Sequence, residues 1–273
     1  MSVEAVKVEI MQTIHSLQPY IRYQGGKTRL AKRIVALMPP HRVYVEPMVG
    51  GGSVYFAKKP AEREVISDAD RDLMDFYRAL KRGDVERCDL TPNREKFSRL
   101  VQKAKSGTRM TPCEYLYRNK ISFGGKGTTP DPGAWVKCKG DKAKRCGVAS
   151  KDGEKYKDRL KSTTILDGDY ASTIRRYDSK DTLHYIDPPY AGTSTEGYRH
   201  GRDLTAADVR KVTDGIKGKM ILSYNNSPQV REQFCSREAH AKGYRCRTVK
   251  TEYTINNVGR HDQRTELLIT KGF

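Results

Sequence analysis

The residues with the clearest chemical potential are Asp187-Pro188-Pro189-Tyr190, which follow the short apolar run Leu183-His184-Tyr185-Ile186. Two consecutive prolines fix φ and cannot donate to a ladder, so a strand must end here. The residue before a proline is held extended, which fixes Asp187 at the strand's carboxyl edge. The turn therefore offers one carboxylate, the free carbonyl of Pro188 and one aromatic ring. An exocyclic amine on a nucleobase is a poor nucleophile, because its lone pair is delocalised into the ring. Two acceptors aimed at its N–H groups localise that lone pair, and a ring beside them can stack on an extruded base. A Pro-Pro turn also serves simply to stop a strand, so the rest of the chain has to decide.

Three further clusters point to a cofactor site. Tyr23-Gln24-Gly25-Gly26-Lys27 places a glycine pair ahead of a helical pattern from Thr28 to about Met38, where backbone can approach a ligand closely. Val43-Tyr44-Val45-Glu46-Pro47-Met48 reads as a buried strand running into Gly50-Gly51-Gly52-Ser53 and a helix. Three contiguous glycines do not have dinucleotide spacing, and they suit a tight turn against a bulky uncharged group. Glu46 at that strand end can bind an amine. Glu64-Val65-Ile66-Ser67-Asp68 is a second strand, and an acidic residue at its end can accept from both hydroxyls of a ribose. Asp68 and Asp70 both also suit the N-cap of the helix expected from Asp70 to about Lys81. A third strand, Thr163–Leu166, leads into Asp167-Gly168-Asp169-Tyr170, where Asp169 can accept from an adenine amine and Tyr170 can pack on its face.

The elements that must position these residues are strands alternating with helices, the pattern of an α/β sheet. Further strands are expected at Lys219–Asn226, Tyr244–Ile255 and Glu266–Thr270, with helices from Thr205 to about Lys217 and from Pro228. Between about Gly83 and Ser162 the strand signals stop. Residues 81–160 hold 21 Lys or Arg against 10 Asp or Glu. Helices are expected near Glu95–Lys105 and Pro112–Lys120, then a glycine-rich loop or hairpin at Ser122–Pro130, then the basic run Lys137 to Arg145. Basic residues mixed with Gly, Thr and aromatics suit contact with nucleic-acid phosphates and groove insertion. The bland reading of the same segment is a solvated insertion.

The totals agree with a polyanionic partner. The 273-residue chain carries a net charge of +19, and nucleic acid is the commonest partner for such an excess. No apolar run is long enough to cross a membrane, and no secretory signal opens the chain. The six cysteines (Cys88, Cys113, Cys138, Cys146, Cys235, Cys246) show no Cys-x-x-Cys spacing. Free thiols in a reducing cytoplasm are expected. Cys138 and Cys146 with two further ligands are the weak alternative of a zinc site.

Taken in order, these motifs resemble those of the Dam-type (D12 class, group alpha) adenine-N6 DNA methyltransferases. Tyr20-Ile-Arg-Tyr-Gln-Gly-Gly-Lys27 is similar to the family's N-terminal motif, and Val45-Glu-Pro-Met-Val-Gly-Gly-Gly-Ser53 to its cofactor loop. Ser67–Leu73 resembles its ribose segment, Asp167–Tyr170 its adenine turn and Ile221–Asn225 its following strand. Arg118–Gly125 loosely resembles the entry to its recognition hairpin. The resemblance implies a Rossmann-like class I methyltransferase with a mixed seven-stranded sheet. It implies a catalytic domain of residues 1–81 and 162–273, and a small, mostly helical target-recognition insert of residues 82–161. S-adenosylmethionine is the implied methyl donor and adenine N6 in duplex DNA the implied acceptor, reached by base flipping. No metal and no obligate protein partner are implied, and the location is the cytoplasm of a bacterium, the gene being of bacterial or phage origin.

Site residues follow from the matched positions. Asp187, Pro188, Pro189 and Tyr190 are expected to be catalytic. Tyr23, Gly25, Gly26, Lys27, Glu46, Pro47, Gly50, Gly51, Gly52, Ser53, Asp68, Asp169, Tyr170 and Asp187 are expected around the cofactor. Lys27, Arg118, Asn119, Lys120, Lys126, Lys137, Lys139, Lys142, Lys144 and Arg145 are expected at the DNA. An RNA adenine methyltransferase would share the catalytic turn, and a DNA-binding protein with a decayed core would share the charge. The basic insert and motif order favour duplex DNA over the first, and the intact acidic strand ends argue against the second.

Overall fold

The computed structural model describes residues 17–131, 153–190, 204–253 and 262–273. Strand β4 (Thr182–Ile186) is buried at every position. It lies between β1 (Val43–Glu46) and β5 (Lys219–Asn225), both parallel to it. A strand paired on both edges and covered on both faces is mostly apolar rather than alternating, and its polar members find partners, Thr182 at the Tyr177 carbonyl and His184 at Asp178. β2 (Arg63–Asp68) and β3 (Thr164–Asp167) continue the parallel part beyond β1. β7 (Asp262–Lys271) inserts antiparallel between β5 and β6 (Arg245–Tyr253). The order is β3-β2-β1-β4-β5-β7-β6, a mixed seven-stranded Rossmann-like sheet. The winding reverses between β1 and β4, and such a reversal opens a crevice at the carboxyl ends of the strands. Glu46 and Asp187 stand at those two ends.

Helices cover both faces. α1 (Ala31–Ala36) and α2 (Ser53–Ala57) follow the two glycine turns. α3 (Arg71–Arg82) starts at Asp70, whose carboxylate accepts from the N–H groups of Asp72 and Leu73. This cap leaves Asp68 to face the crevice. The buried stripe Leu73, Met74, Phe76, Tyr77 and Leu80 lays α3 on the sheet. α4 (Arg94–Lys105) and α5 (Pro112–Ile121) pack beyond it, α5 opened by a capping box between Thr111 and Glu114 with Pro112 in its first turn. α6 (Gly153–Leu160) was not expected from the sequence. Leu100, Tyr115, Leu116, Tyr117, Ile121, Tyr156 and Leu160 of these helices share one continuous core with Ile34, Tyr55, Phe56 and Ile66. On the other side, α7 (Tyr170–Tyr177), α8 (Ala206–Asp214), α9 (Pro228–Phe234) and α10 (Arg237–Ala241) enclose a second core with Ile186, Leu222, Phe234 and Tyr244. The short α7 and α10 were also missed.

The expectation of free thiols is corrected for four cysteines. Cys88 is joined to Cys113, and Cys235 to Cys246. Separations of 25 and 11 residues carry no pairing signal in sequence. Packing brings the Cα atoms to 5.2 and 5.8 Å, within bonding range. Cys138 and Cys146 lie outside the described residues, as do Lys137, Lys139, Lys142, Lys144 and Arg145. Among the described residues no helix is long and apolar enough to cross a membrane.

Candidate active site

A cleft of ≈ 1360 Å³ opens at the carboxyl ends of β1, β2 and β4. Part of its wall is a turn that needs glycine. Gly50 has φ +47°, and a Cβ there would lie 2.8 Å from the Tyr23 ring. A Cβ on Gly51 would lie 2.9 Å from the Cβ of Tyr23. The two glycines therefore let Tyr23 close down on the loop after β1. Asp68 fixes that loop from the other side, accepting from the Gly50 N–H at 3.0 Å and the Asp70 N–H at 3.0 Å. Burial pushes the Asp68 carboxyl up to about 6, against the hydrogen bonds that favour its charged form.

Glu46 lies on the cleft floor, 2% exposed, and accepts from the Tyr44 hydroxyl at 2.6 Å. Burial, and secondarily the Asp187 charge, push its carboxyl up to about 8, opposed by the Tyr44 hydrogen bond. Asp187 is the most heavily bonded group in the cleft. The Lys27 ammonium lies 2.7 Å from Oδ1 and 3.0 Å from Oδ2, and the Ser223 hydroxyl donates to Oδ1 at 2.8 Å. Ser223 is itself hydrogen-bonded to Tyr185 at 2.9 Å. Burial pushes the Asp187 carboxyl above its ordinary value, and Lys27 and Ser223 pull it back. Tyr190 completes the group, stacked on Tyr224 at 6.2 Å with Lys27 4.8 Å from its ring centre.

Tyr23, Gly25, Gly26, Lys27, Glu46, Pro47, Gly50, Gly51, Ser53, Asp68, Asp169, Tyr170, Asp187, Pro188, Pro189 and Tyr190 all line this one cleft. Gly52 does not: at φ +70° it turns inward against Tyr77 and Phe56. Asp169 combines two positions, lining the cleft and capping α7 through the Ser172 N–H at 3.0 Å. Ser223, Asn225, Glu266 and Arg109 carried no signal of their own. Asn225, Glu266 and Arg109 line the cleft, while Ser223 reaches it through Asp187. Asn225 and Glu266 meet only because β5 and β7 pair in antiparallel register. Among the described residues no cluster of three His, Cys, Asp or Glu has the arrangement to hold a metal.

Three residues expected at the DNA have partners within the chain. Lys27 is 4% exposed and its ammonium is engaged by Asp187 and the Gly25 carbonyl. Asn119 is buried and donates to the carbonyls of Arg22 and Gly125. Lys120 donates to the Tyr20 carbonyl at 2.5 Å. Burial, then the Arg22 charge, push Lys120 down to about 8. Asn119 and Lys120 thus dock the N-terminal motif against α5 instead of facing solvent. Arg118 is half-buried beside Gly127, and Lys126 is exposed. Phe123, expected only as one aromatic of the loop Ser122–Pro130, is exposed on the turn Phe123–Gly125, whose third residue abuts the Arg22 backbone.

Residues 23–249 match the family described as D12 class N6 adenine-specific DNA methyltransferase. The chain belongs to that family. It is 25% identical over 270 residues to a DNA adenine methylase of Vibrio cholerae, covering 92% of this chain and 94% of that protein. It is 24% identical over 283 residues to the type II methyltransferase M1.LlaDCHI of Lactococcus lactis, covering 93% and 95%. A DNA adenine methylase of Haemophilus influenzae is 27% identical over 263 residues, covering 88% of each. The family's reaction is transfer of a methyl group from S-adenosylmethionine to N6 of adenine in DNA. The cleft fits that donor chemically: a space of ≈ 1360 Å³ lined by the glycine turn and by the carboxyl groups of Glu46, Asp68 and Asp169 has room and acceptors for it.

Proposed function

We propose that this protein is a site-specific enzyme that flips adenine out of duplex DNA and methylates its N6. The observation that carries this reading is the meeting of Asp187, Pro188 and Tyr190 with Glu46 and Asp68 in one cleft. When bound, S-adenosylmethionine supplies an electrophilic methyl group on a sulfonium. Glu46 binds its amino group, Asp68 its ribose hydroxyls and Asp169 its adenine amine. The Asp187 carboxylate and the Pro188 carbonyl accept from the two N–H groups of the target amine. This localises the lone pair on N6 and aims it along the transfer line. Tyr190 stacks on the flipped base, and the cleft walls exclude water, so that the acceleration comes from orientation and desolvation.

Residues 82–161 are proposed as the DNA-recognition region. Exposed Lys126 and the expected contacts from Lys137 to Arg145 supply charge, and Phe123 supplies an apolar wedge for the space a flipped base leaves. Phe123→Ala should weaken binding of unmethylated duplex DNA by about 1–3 kcal/mol, the usual worth of one base–aromatic stack. Its salt dependence should stay unchanged, since no phosphate contact is lost. Equal affinities for wild type and variant in a fluorescence titration would remove Phe123 from the interface.

The deciding experiment is incorporation of labelled methyl into duplex DNA, duplex RNA and protein, followed by sequencing of the modified DNA. Label in RNA or protein, or none at all, would overturn the proposal. The cofactor assignment has its own check. Asp68→Ala should weaken S-adenosylmethionine binding by about 1–3 kcal/mol, the penalty for hydrogen bonds left unmade. Calorimetry on the folded variant giving wild-type affinity would reassign the ribose site.

A further inference from the structure

The contacts around Asp187 hold more than a hydrogen-bond acceptor needs. The Lys27 ammonium has three N–H donors. Two of them are hydrogen-bonded, to Asp187 Oδ2 at 3.0 Å and the Gly25 carbonyl at 2.9 Å, and the charge lies 2.7 Å from Asp187 Oδ1. At 4% exposure it has almost no water to turn to. It also lies 4.8 Å from the centre of the Tyr190 ring. The ammonium thus sits between the acceptor proposed for the target amine and the ring proposed for the target base. It gets there by a tight turn: the Gly26 N–H donates to the Tyr23 carbonyl at 3.1 Å, with Gly25 at φ +75°.

We propose that Lys27 is a positioning residue for Asp187, a cation that stands in the free protein where the target amine is to bind and keeps the carboxylate charged and aimed until the base displaces it. The proposal rests on the reading of Asp187 as the acceptor of that amine.

The groups facing Asp187 show why a cation is needed. One carboxylate acts on it, Glu266 from β7, and the charge of Asp187 in turn pushes up Glu46 of β1 across the cleft floor. Tyr185 on β4 reaches it through the Ser223 hydroxyl of β5, which offers one neutral donor. Lys27, from the turn before α1, is the cation in contact with it among the described residues. A buried carboxylate beside other carboxylates takes up a proton when nothing offsets them. Once protonated, one of its oxygens becomes a donor and no longer receives an amine N–H. Lysine suits this place better than arginine for a second reason. A compact ammonium fills the volume of an amine, and a planar fork does not.

The test is a single-turnover pH profile with unmethylated plasmid DNA and labelled S-adenosylmethionine, for wild type, Lys27→Met, Lys27→Gln, Lys27→Arg and Asp187→Asn. Removing the cation should move the acid limb of the Lys27→Met profile upward by about one pH unit or more. Below that limb the rate then falls on the order of tenfold per unit of displacement, and the deficit closes at high pH. Lys27→Gln, which keeps donors and polarity, should behave the same way, and it carries the test if the methionine variant does not fold. Lys27→Arg should keep the wild-type limb. A uniform loss at every pH, or a rise in KM for cofactor or DNA with an unmoved limb, would overturn the proposal. The two readings separate cleanly. An active Asp187→Asn protein would sink the assignment of Asp187 itself. An inactive Asp187→Asn protein beside an unmoved Lys27→Met profile would sink the role of Lys27 alone.

Discussion

Asp187→Ala should lower single-turnover methyl transfer by about 10²–10³-fold or more, the scale set by removing one preorganised polar group from a water-excluded site. It should leave S-adenosylmethionine affinity near wild type, because the carboxylate faces the target amine. Sequence alone suggests that this variant keeps its stability too, since the two prolines fix the turn. The ion pair with Lys27 changes that expectation. Alanine at position 187 leaves an ammonium that is 4% exposed without its counter-charge, and breaking a buried pair from one side is strongly destabilising. The single variant should therefore lose both activity and thermal stability. The double variant Asp187→Ala/Lys27→Met removes both charges and should recover most of the stability with none of the activity. Recovery of methyl transfer in the double variant would mean that Asp187 serves the fold and not the reaction.

This pairing also marks what could be read from the sequence. The strand ends were legible, because an apolar run followed by Glu46-Pro47, Asp68 or Asp187-Pro188 announces both the strand and the point where it stops. Alternating strands and helices announce an α/β sheet, and the family resemblance implied its seven mixed strands, but the place where the winding reverses is set by the strand pairing. What escaped depends on contacts between residues far apart in the chain. Lys27 and Asp187 are 160 residues apart, and nothing local distinguishes a buried lysine from a phosphate-binding one. Asn119 and Lys120 were placed at the DNA by the resemblance of Arg118–Gly125 to a recognition hairpin, whereas packing turns them toward the backbone of Tyr20 and Arg22. Ser223 and Glu266 became relevant only through strand register. The cysteine pairs escaped for the same reason.

A second large effect concerns stability rather than chemistry. Glu64 of β2 is 1% exposed, and it bridges Lys58 at 2.5 Å and Arg159 of α6, which also binds the Tyr55 carbonyl at 2.9 Å. This cluster ties the last helix of residues 82–161 to the strand beside β1. Burial alone would raise the Glu64 carboxyl, but Arg159 and Lys58 outweigh it and hold it below its ordinary value. Burial pushes Lys58 down to about 8, with Glu64 resisting. Glu64→Gln keeps the shape and leaves two buried cations facing each other. The expected loss is about 3–5 kcal/mol, as for other buried pairs broken from one side. For a chain of this size that is a fall in Tm of roughly 6–20 °C. The loss should depend on pH in two directions. The stability that Glu64 contributes is present above its unfolded-state value and is lost as pH falls through the lower folded value, so wild type and variant converge in acid. In the variant burial and Arg159 favour the neutral form of Lys58, opposed by Glu46 but no longer by Glu64. The penalty of charging it therefore shrinks as pH rises through its lowered folded value toward 10.5, and the deficit narrows in alkali without closing, because Arg159 keeps its charge and still lacks Glu64. The deficit is thus largest near neutrality. Thermal melts from pH 4 to 10 check this, and a deficit that is the same at every pH would show that Glu64 acts through packing rather than charge. Replacing Lys58, Glu64 and Arg159 together with apolar residues of similar volume should restore much of the stability, because no charge is then left buried alone.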